Sequence, residues 1–136
     1  MPLTDLKPGD SAVGALVVTA EHLASHIVED TPDAFSTPAL AALVERTAAE
    51  WLHGHLAPGE MTVGTQLVIN HVAPTPRGME VRVELTVVRV DDRQAEFEWV
   101  AHDEVEKIGH GTHHRVVIDA ARFGERLKQK SERARG

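Results

Sequence analysis

Glu45, His71 and Thr37 are the residues whose types and spacing suit acyl or proton chemistry. Glu45 stands one turn from Ala41, Ala48 and Ala49 in a helical pattern, at the edge of its apolar stripe. A carboxylate there is expected to be partly desolvated, which disfavours its charged form and suits it to act as a base. The same position also suits a boundary glutamate that reaches water. His71 ends a strand pattern on the same face as Leu67 and Ile69, looking toward the helix, where it is either a packed core histidine or a partner for Glu45. Thr37 opens the helix just before Pro38. Its hydroxyl is expected to cap the helix, and with the first amides it offers donors to a developing oxyanion. Gly64 lies inside a strand pattern, where a glycine marks either a bulge or a close approach to backbone.

The elements that must position these residues are legible in the hydrophobic pattern. Residues 11–20 read as a first strand, entered from the Pro8-Gly9-Asp10 turn, and 21–36 as a short helical turn and a loop. From Thr37 to about Leu56 the period is 3.6, with Leu40, Leu43, Val44, Thr47, Ala48 and Trp51 on one stripe and Leu52 at its margin. Ala57-Pro58-Gly59 stops the helix, and the period then becomes 2. The predicted strands are 61–72 (Val63, Thr65, Leu67, Ile69 and His71 on one face), 80–90, 94–102 (Ala95, Phe97, Trp99 and Ala101 inward) and 106–118, followed by a short helix. The expectation is an α+β fold, with one long helix against the concave face of a curved antiparallel sheet of about five strands. Its open sheet edges favour a dimer.

The chain's 136 residues suit one domain, with an N-terminal arm over 1–10 and a basic tail over 120–136. A net charge of −7 argues against nucleic acid as a partner. The charge is uneven: Arg122, Arg126, Lys128, Lys130, Arg133 and Arg135 face only Glu125 and Glu132 in the last 16 residues. That tail reads as a solvated helix or as a surface for a polyphosphate-bearing ligand. The absence of cysteine excludes disulfides, thiol nucleophiles and cysteine metal sites. His110 and His114 share one strand face and His113 takes the other, with His102 further back, so no metal centre is expected. Neither a membrane-spanning run nor a signal peptide is evident, and a cytoplasmic location is expected. There is no Gly-x-Ser-x-Gly elbow and no phosphate-binding glycine loop, so acyl transfer would run through a carboxylate or an activated water.

Several motifs together resemble the hot-dog-fold thioesterases, closest to the fluoroacetyl-CoA thioesterase family. They are Thr37 eight residues before Glu45, Val63-Gly64-Thr65 leading to His71, and Ala73-Pro74-Thr75-Pro76-x-Gly78. Further on come Ala101-His102-Asp103, Ile108-Gly109-x-Gly111-Thr112-His113-x-Arg115, and a tail containing Phe123. The resemblance covers roughly residues 35–130. It implies hydrolysis of a small acyl-CoA, with Thr37, Glu45 and His71 as the catalytic group and Gly64 as the backbone contact at the reacting centre. It further implies Arg115 lining the substrate or CoA channel, and a homodimer with its active sites at the interface. Coenzyme A would be part of the substrate, with no separate cofactor; its phosphates would meet Arg115, Arg77 or the basic tail. The segment before Thr37 is shorter than the phenylalanine-bearing lid region of that family, with only Phe35 nearby. Two other readings remain open. One is an acyl-CoA hydratase or dehydratase, whose Gly-Asp-x-Asn-Pro-x-His stretch is absent here. The other is a non-catalytic acyl-CoA-binding dimer in which Glu45 is structural.

Overall fold

In the computed structural model, which describes residues 2–136, the 3.6-residue pattern becomes helix α2, Thr37–His53. Leu40, Leu43, Val44, Thr47, Ala48 and Leu52 are its buried residues. Leu52 thus lies within the stripe and Trp51 at its edge, the reverse of the expectation. The 40-44-48-52 row faces the sheet, and the larger indole tilts against Phe97 with ring centroids 5.7 Å apart. The helix ends at Gly54, three residues before the expected stop. Truncating a fully buried leucine such as Leu40 costs about 2–5 kcal/mol, so this stripe anchors the helix firmly.

The cap of α2 differs from the expectation in a way that matters for the site. Ser36, not Thr37, is the N-cap, and its Oγ accepts from the Ala39 amide at 3.1 Å. Thr37 becomes the first helical residue and Pro38 the second. Its hydroxyl is therefore free of capping duty.

Five strands form one antiparallel sheet in the order β1-β3-β4-β5-β2. They are β1 (Ser11–Val17), β2 (Glu60–His71), β3 (Glu80–Val90), β4 (Gln94–His102) and β5 (Lys107–Asp119). The last three form a meander, while β2 crosses to the far edge and pairs with β5. α2 lies on the concave face against β1, β2 and β3. The inward rows of β3 (Val81, Val83, Leu85, Val87) and β4 (Ala95, Phe97, Trp99, Ala101) are all buried, as their alternation predicts. The N-terminal arm joins this core through Leu3 and Leu6. A short helix α1 (Ala24–Ile27) precedes α2, and α3 (Ala120–Arg135) follows β5 with no buried residue.

Strand β2 departs from strict alternation. Its register with β5 shifts between Gly64 and Gln66, a bulge at Thr65. Thr62 and Gly64 therefore face inward before the bulge, and Leu67, Ile69 and His71 after it. Val63 and Thr65, expected on the inner face, are turned off it; Thr65 bonds outward to His114.

Candidate active site

Thr37 and His71 form the first cluster. The Thr37 Oγ1 lies 2.8 Å from His71 Nδ1, across the junction of the first turn of α2 and the end of β2. The loop ahead of the helix is pinned so that this pair can meet. Ser36 N donates to the His22 carbonyl and Phe35 N to the Thr75 carbonyl, both at 2.8 Å. Thr75, fully buried, donates its hydroxyl to Asp103 at 2.8 Å, which ties the proline-rich turn to the β4–β5 connection. Phe35 is itself buried and sits edge-on to His71, at 6.4 Å between ring centroids, and to His22 at 6.2 Å. It supports the imidazole from the core side. Burial lowers the pKa of His71, so the ring is neutral near pH 7. Its Nε2 is buried without a hydrogen-bond partner. In the tautomer in which Thr37 donates to Nδ1, the ring proton sits on Nε2, ready for an incoming atom.

Glu45 belongs to a second cluster, eight residues and about 12 Å further along the helix. Its Oε2 lies 3.6 Å from Arg115 Nη1. The carboxylate side chain is 49% exposed while the guanidinium is 6% exposed. The expected partial desolvation of Glu45 is thus not present in the isolated chain. Nor is a Glu45–His71 pair among its hydrogen bonds or ion pairs: the helix rise separates the two, and each has another partner. An ion pair with one partner so exposed contributes at most about 1 kcal/mol to stability.

Arg115 is held on its other edge. Nε donates to Thr62 Oγ1 and Nη2 to the Thr62 carbonyl, both at 3.0 Å. Nη1 also lies 3.4 Å from His113 Nε2. Burial lowers the Arg115 pKa and the Glu45 carboxylate pushes it back up. A guanidinium bound in this way is poorly placed to clamp CoA phosphates. Gly64 faces this cluster: a Cβ there would lie 3.2 Å from His113 Cε1, 3.3 Å from Arg115 Nη1 and 3.4 Å from Glu45 Oε1. Its φ is ordinary, so close approach, not backbone freedom, explains the glycine.

For His113 the sequence gives a place in the Ile108–Arg115 motif but no role. It is buried, stacked on Phe97 and bonded through Nδ1 to the Gln66 carbonyl at 2.9 Å. The signal was present in β5, where residues 111, 113, 115 and 117 share the inward face and so put His113 beside Arg115. His110 and His114 are on the opposite face, as expected.

The long helix cradled by a curled five-stranded sheet is the hot-dog architecture, and comparisons with known proteins place the chain within it. The model of the fluoroacetyl-CoA-specific thioesterase family, FlK, matches residues 18–121. The fluoroacetyl-CoA thioesterase of Streptantibioticus cattleyicolor is 34% identical over 115 residues, 83% of each chain. A solved structure of the fluoroacetyl-CoA thioesterase FlK superposes with a TM-score of 0.88 at 30% identity, over 92% of this chain and 97% of that one. A thioesterase-superfamily protein of Thermus thermophilus shares the fold, with a TM-score of 0.86 at 22% identity, over 95% and 96% of the two chains. The protein is thus a hot-dog thioester hydrolase acting on acyl-CoA. Within that class, the chain belongs to the fluoroacetyl-CoA-specific thioesterase family.

Proposed function

We propose that the chain hydrolyses small acyl-CoA esters, fluoroacetyl-CoA among them, with Thr37, Glu45 and His71 as its catalytic group. The observation that carries this reading is the unpartnered Nε2 of His71 beside the Thr37 hydroxyl. A buried ring nitrogen without a partner is rare and costly unless a ligand supplies one. Glu45 attacks the thioester carbonyl, or draws a proton from the water that does. The backbone amide of Thr37 holds the oxyanion, its hydroxyl keeps the His71 ring proton on Nε2, and Gly64 lets the thioester approach β2 closely. As the tetrahedral intermediate collapses, the C–S bond breaks and His71 gives its Nε2 proton to the departing thiolate. CoA leaves as the thiol on either route; where a water attacks, the free acid forms at once, and where Glu45 attacks, the acyl–Glu45 anhydride left behind is hydrolysed by a water to the free acid and the free carboxylate.

The two clusters complement each other best across a homodimer. β2 is an open edge of 12 residues. Antiparallel pairing of two such edges about a twofold axis reverses one relative to the other. The His71 end of one chain then lies beside the Glu45–Gly64 end of its partner. The partner also removes water from the half-exposed Glu45. Among the described residues no helix is long and apolar enough to cross a membrane. Because acyl-CoA esters are intracellular metabolites, we place the enzyme in the cytoplasm.

The acyl preference is broad. Ahead of Thr37, Phe35 packs into the core beneath His71, and the exposed surface of the loop carries Ile27 and Val28. An apolar pocket discriminates by only about 1–3 kcal/mol per methylene-sized difference. Acetyl-, fluoroacetyl- and short branched acyl-CoA are therefore expected within roughly 200-fold of one another in kcat/KM. The test is that panel with a free-thiol readout, run on wild type and Glu45→Gln. The variant should lose about 10²-fold or more in kcat. Wild-type turnover by Glu45→Gln would remove Glu45 from the mechanism. A fluoroacetyl preference of about 10⁴-fold would show that selectivity does not rest on apolar fit.

A further inference from the structure

The turn after β2 sets a threonine between two prolines, Pro74-Thr75-Pro76. Neither proline carries an N–H, and a residue ahead of proline is held to extended backbone, so the turn fixes where the Thr75 carbonyl points. That carbonyl accepts from the Phe35 amide at 2.8 Å. The Thr75 side chain is fully buried, and its hydroxyl donates to Asp103 Oδ2 at 2.8 Å. Asp103 is anchored in turn by the β4–β5 connection. Its Oδ1 accepts from the Val105 amide at 2.8 Å and from the Glu106 amide at 2.9 Å. Burial acts to raise the pKa of this carboxyl, but the two amides and the Thr75 hydroxyl outweigh it and hold the pKa below its ordinary value. The group is therefore an ionised acceptor near neutral pH.

These links close a ring through the Thr37–His71 pair. From His71 the chain runs to Thr75, crosses to Phe35 by the backbone bond, and continues to Thr37, whose hydroxyl lies 2.8 Å from His71 Nδ1. The Val72 and Ala73 amides both donate to the Ile108 carbonyl and hold one side of the ring to β5. The Thr75–Asp103 bond holds the other side. We propose that Thr75 and Asp103 are positioning residues for the Thr37–His71 pair. Asp103 fixes Thr75, Thr75 fixes the Phe35 backbone, and Phe35 sets both the entry to α2 and the edge that faces the His71 ring at 6.4 Å. This rests on the reading of Thr37 and His71 as catalytic. Valine has the shape of threonine and would fill the same buried space with no polar group to satisfy, so the contribution of the hydroxyl is directional. Thr37 and His71 stand on different elements, and their contact holds only while the turn and the loop keep their places.

The experiment compares Thr75→Val, Thr75→Ser and Asp103→Ala in acyl-CoA hydrolysis, with nitrogen NMR of the histidine rings in each variant. Thr75→Val should lower kcat about 10-fold, less than a full ångström of misplacement costs, with KM changed by less than about 3-fold. Thr75→Ser keeps the hydroxyl and should restore kcat to within about 3-fold of wild type. Asp103→Ala should lower kcat to a similar degree. Adding Thr75→Val to it should lower kcat no further, because the two residues act through one bond. The His71 Nδ1 resonance, assigned by its loss in His71→Gln, should move in Thr75→Val toward its position in Thr37→Val. A merely structural anchor would leave it in place. If Thr75→Val does not fold, Asp103→Ala carries the same comparison, since Asp103 is only partly buried. A lowered urea midpoint with wild-type kcat and an unmoved His71 resonance would overturn the proposal. Additive losses in the double variant would overturn it as well. Full activity of His71→Gln would refute the catalytic reading instead, whatever the Thr75 variants do.

Discussion

Replacing Gly64 by alanine separates stability from activity at one atom. The backbone of Gly64 has no positive φ, so alanine is conformationally acceptable there. Losing a glycine from a strand contributes about 0.4–1 kcal/mol through the unfolded chain. Against this, the new Cβ meets His113 Cε1 at 3.2 Å, Arg115 Nη1 at 3.3 Å and Glu45 Oε1 at 3.4 Å. The contacts with His113 and Arg115 must open by a few tenths of an ångström, while that with Glu45 is an ordinary one. The Arg115 guanidinium gives way and takes its ion-pair partner, the half-exposed Glu45, with it. The two stability terms nearly cancel, and the unfolding free energy should change by less than about 1 kcal/mol. The carboxylate shifts away from β2, and kcat should fall roughly 10- to 100-fold. Gly14→Ala is the contrasting control: its Cβ would collide with the Thr47 side chain beneath the helix. That overpacking should cost about 1–3 kcal/mol without touching the site. Urea unfolding midpoints and thiol-release kinetics on the two variants measure both quantities. Wild-type kcat for Gly64→Ala, or a destabilisation equal to that of Gly14→Ala, would refute the reasoning.

Burial lowers the pKa of both His71 and His113, the latter opposed by its Gln66 bond and reinforced by Arg115. The unfolded chain, with histidines near the ordinary 6.5, therefore takes up protons first as the pH falls. The stability due to these residues is present above about 6.5 and is lost as the pH drops toward their lower folded values. Urea midpoints across about pH 8 to 5 should fall less steeply for His113→Gln than for wild type, and parallel curves would contradict this. The basic residues of α3 and Arg77 are exposed, as partners for the CoA phosphates would have to be. Changing Arg126, Lys130 and Arg133 to glutamine should raise KM for acyl-CoA roughly 3- to 100-fold, at about 0.2–1 kcal/mol per exposed pair. The KM for an acyl-pantetheine, which lacks the phosphates, should stay put; an equal rise for both would assign the tail a structural role. Sedimentation at micromolar concentration should give about twice the 14.8 kDa chain mass, and a fully active monomer would exclude the shared site.

Where the hydrophobic period was undisturbed, the fold was legible from residues alone. β3 and β4 have the predicted bounds, and every inward position of β4 is buried. The departures have local causes. A period-2 reading carries Val63 and Thr65 onto the inner face only if β2 has no extra residue, and the bulge at Thr65 breaks that count. Gly64 announced the break, but a glycine alone does not say on which side of it the register slips. Thr37 and Ser36 are both capping residues by type; the choice depends on the Phe35 and Ser36 backbone bonds to Thr75 and His22, which lie far off in sequence. That choice gives His71 its partner.

The separation of the two clusters is the least legible feature and has the largest consequence for function. An eight-residue spacing brings Thr37 and Glu45 to neighbouring faces of α2, which from sequence suggests one compact group. The rise of the helix opposes this, because two turns displace the carboxylate by about 12 Å. Each end then recruits what lies beside it: His71 and Phe35 at the first turn, Arg115, His113 and Gly64 further along. Thr37–His71 holds an unused ring nitrogen but no carboxylate, and Glu45–Arg115 holds a carboxylate but no proton donor for a thiolate. Neither completes thioester hydrolysis as a unit. In the proposed homodimer the open edge of β2 would connect them, since it carries His71 at one end and Gly64 toward the other, and a twofold axis would run two such edges antiparallel.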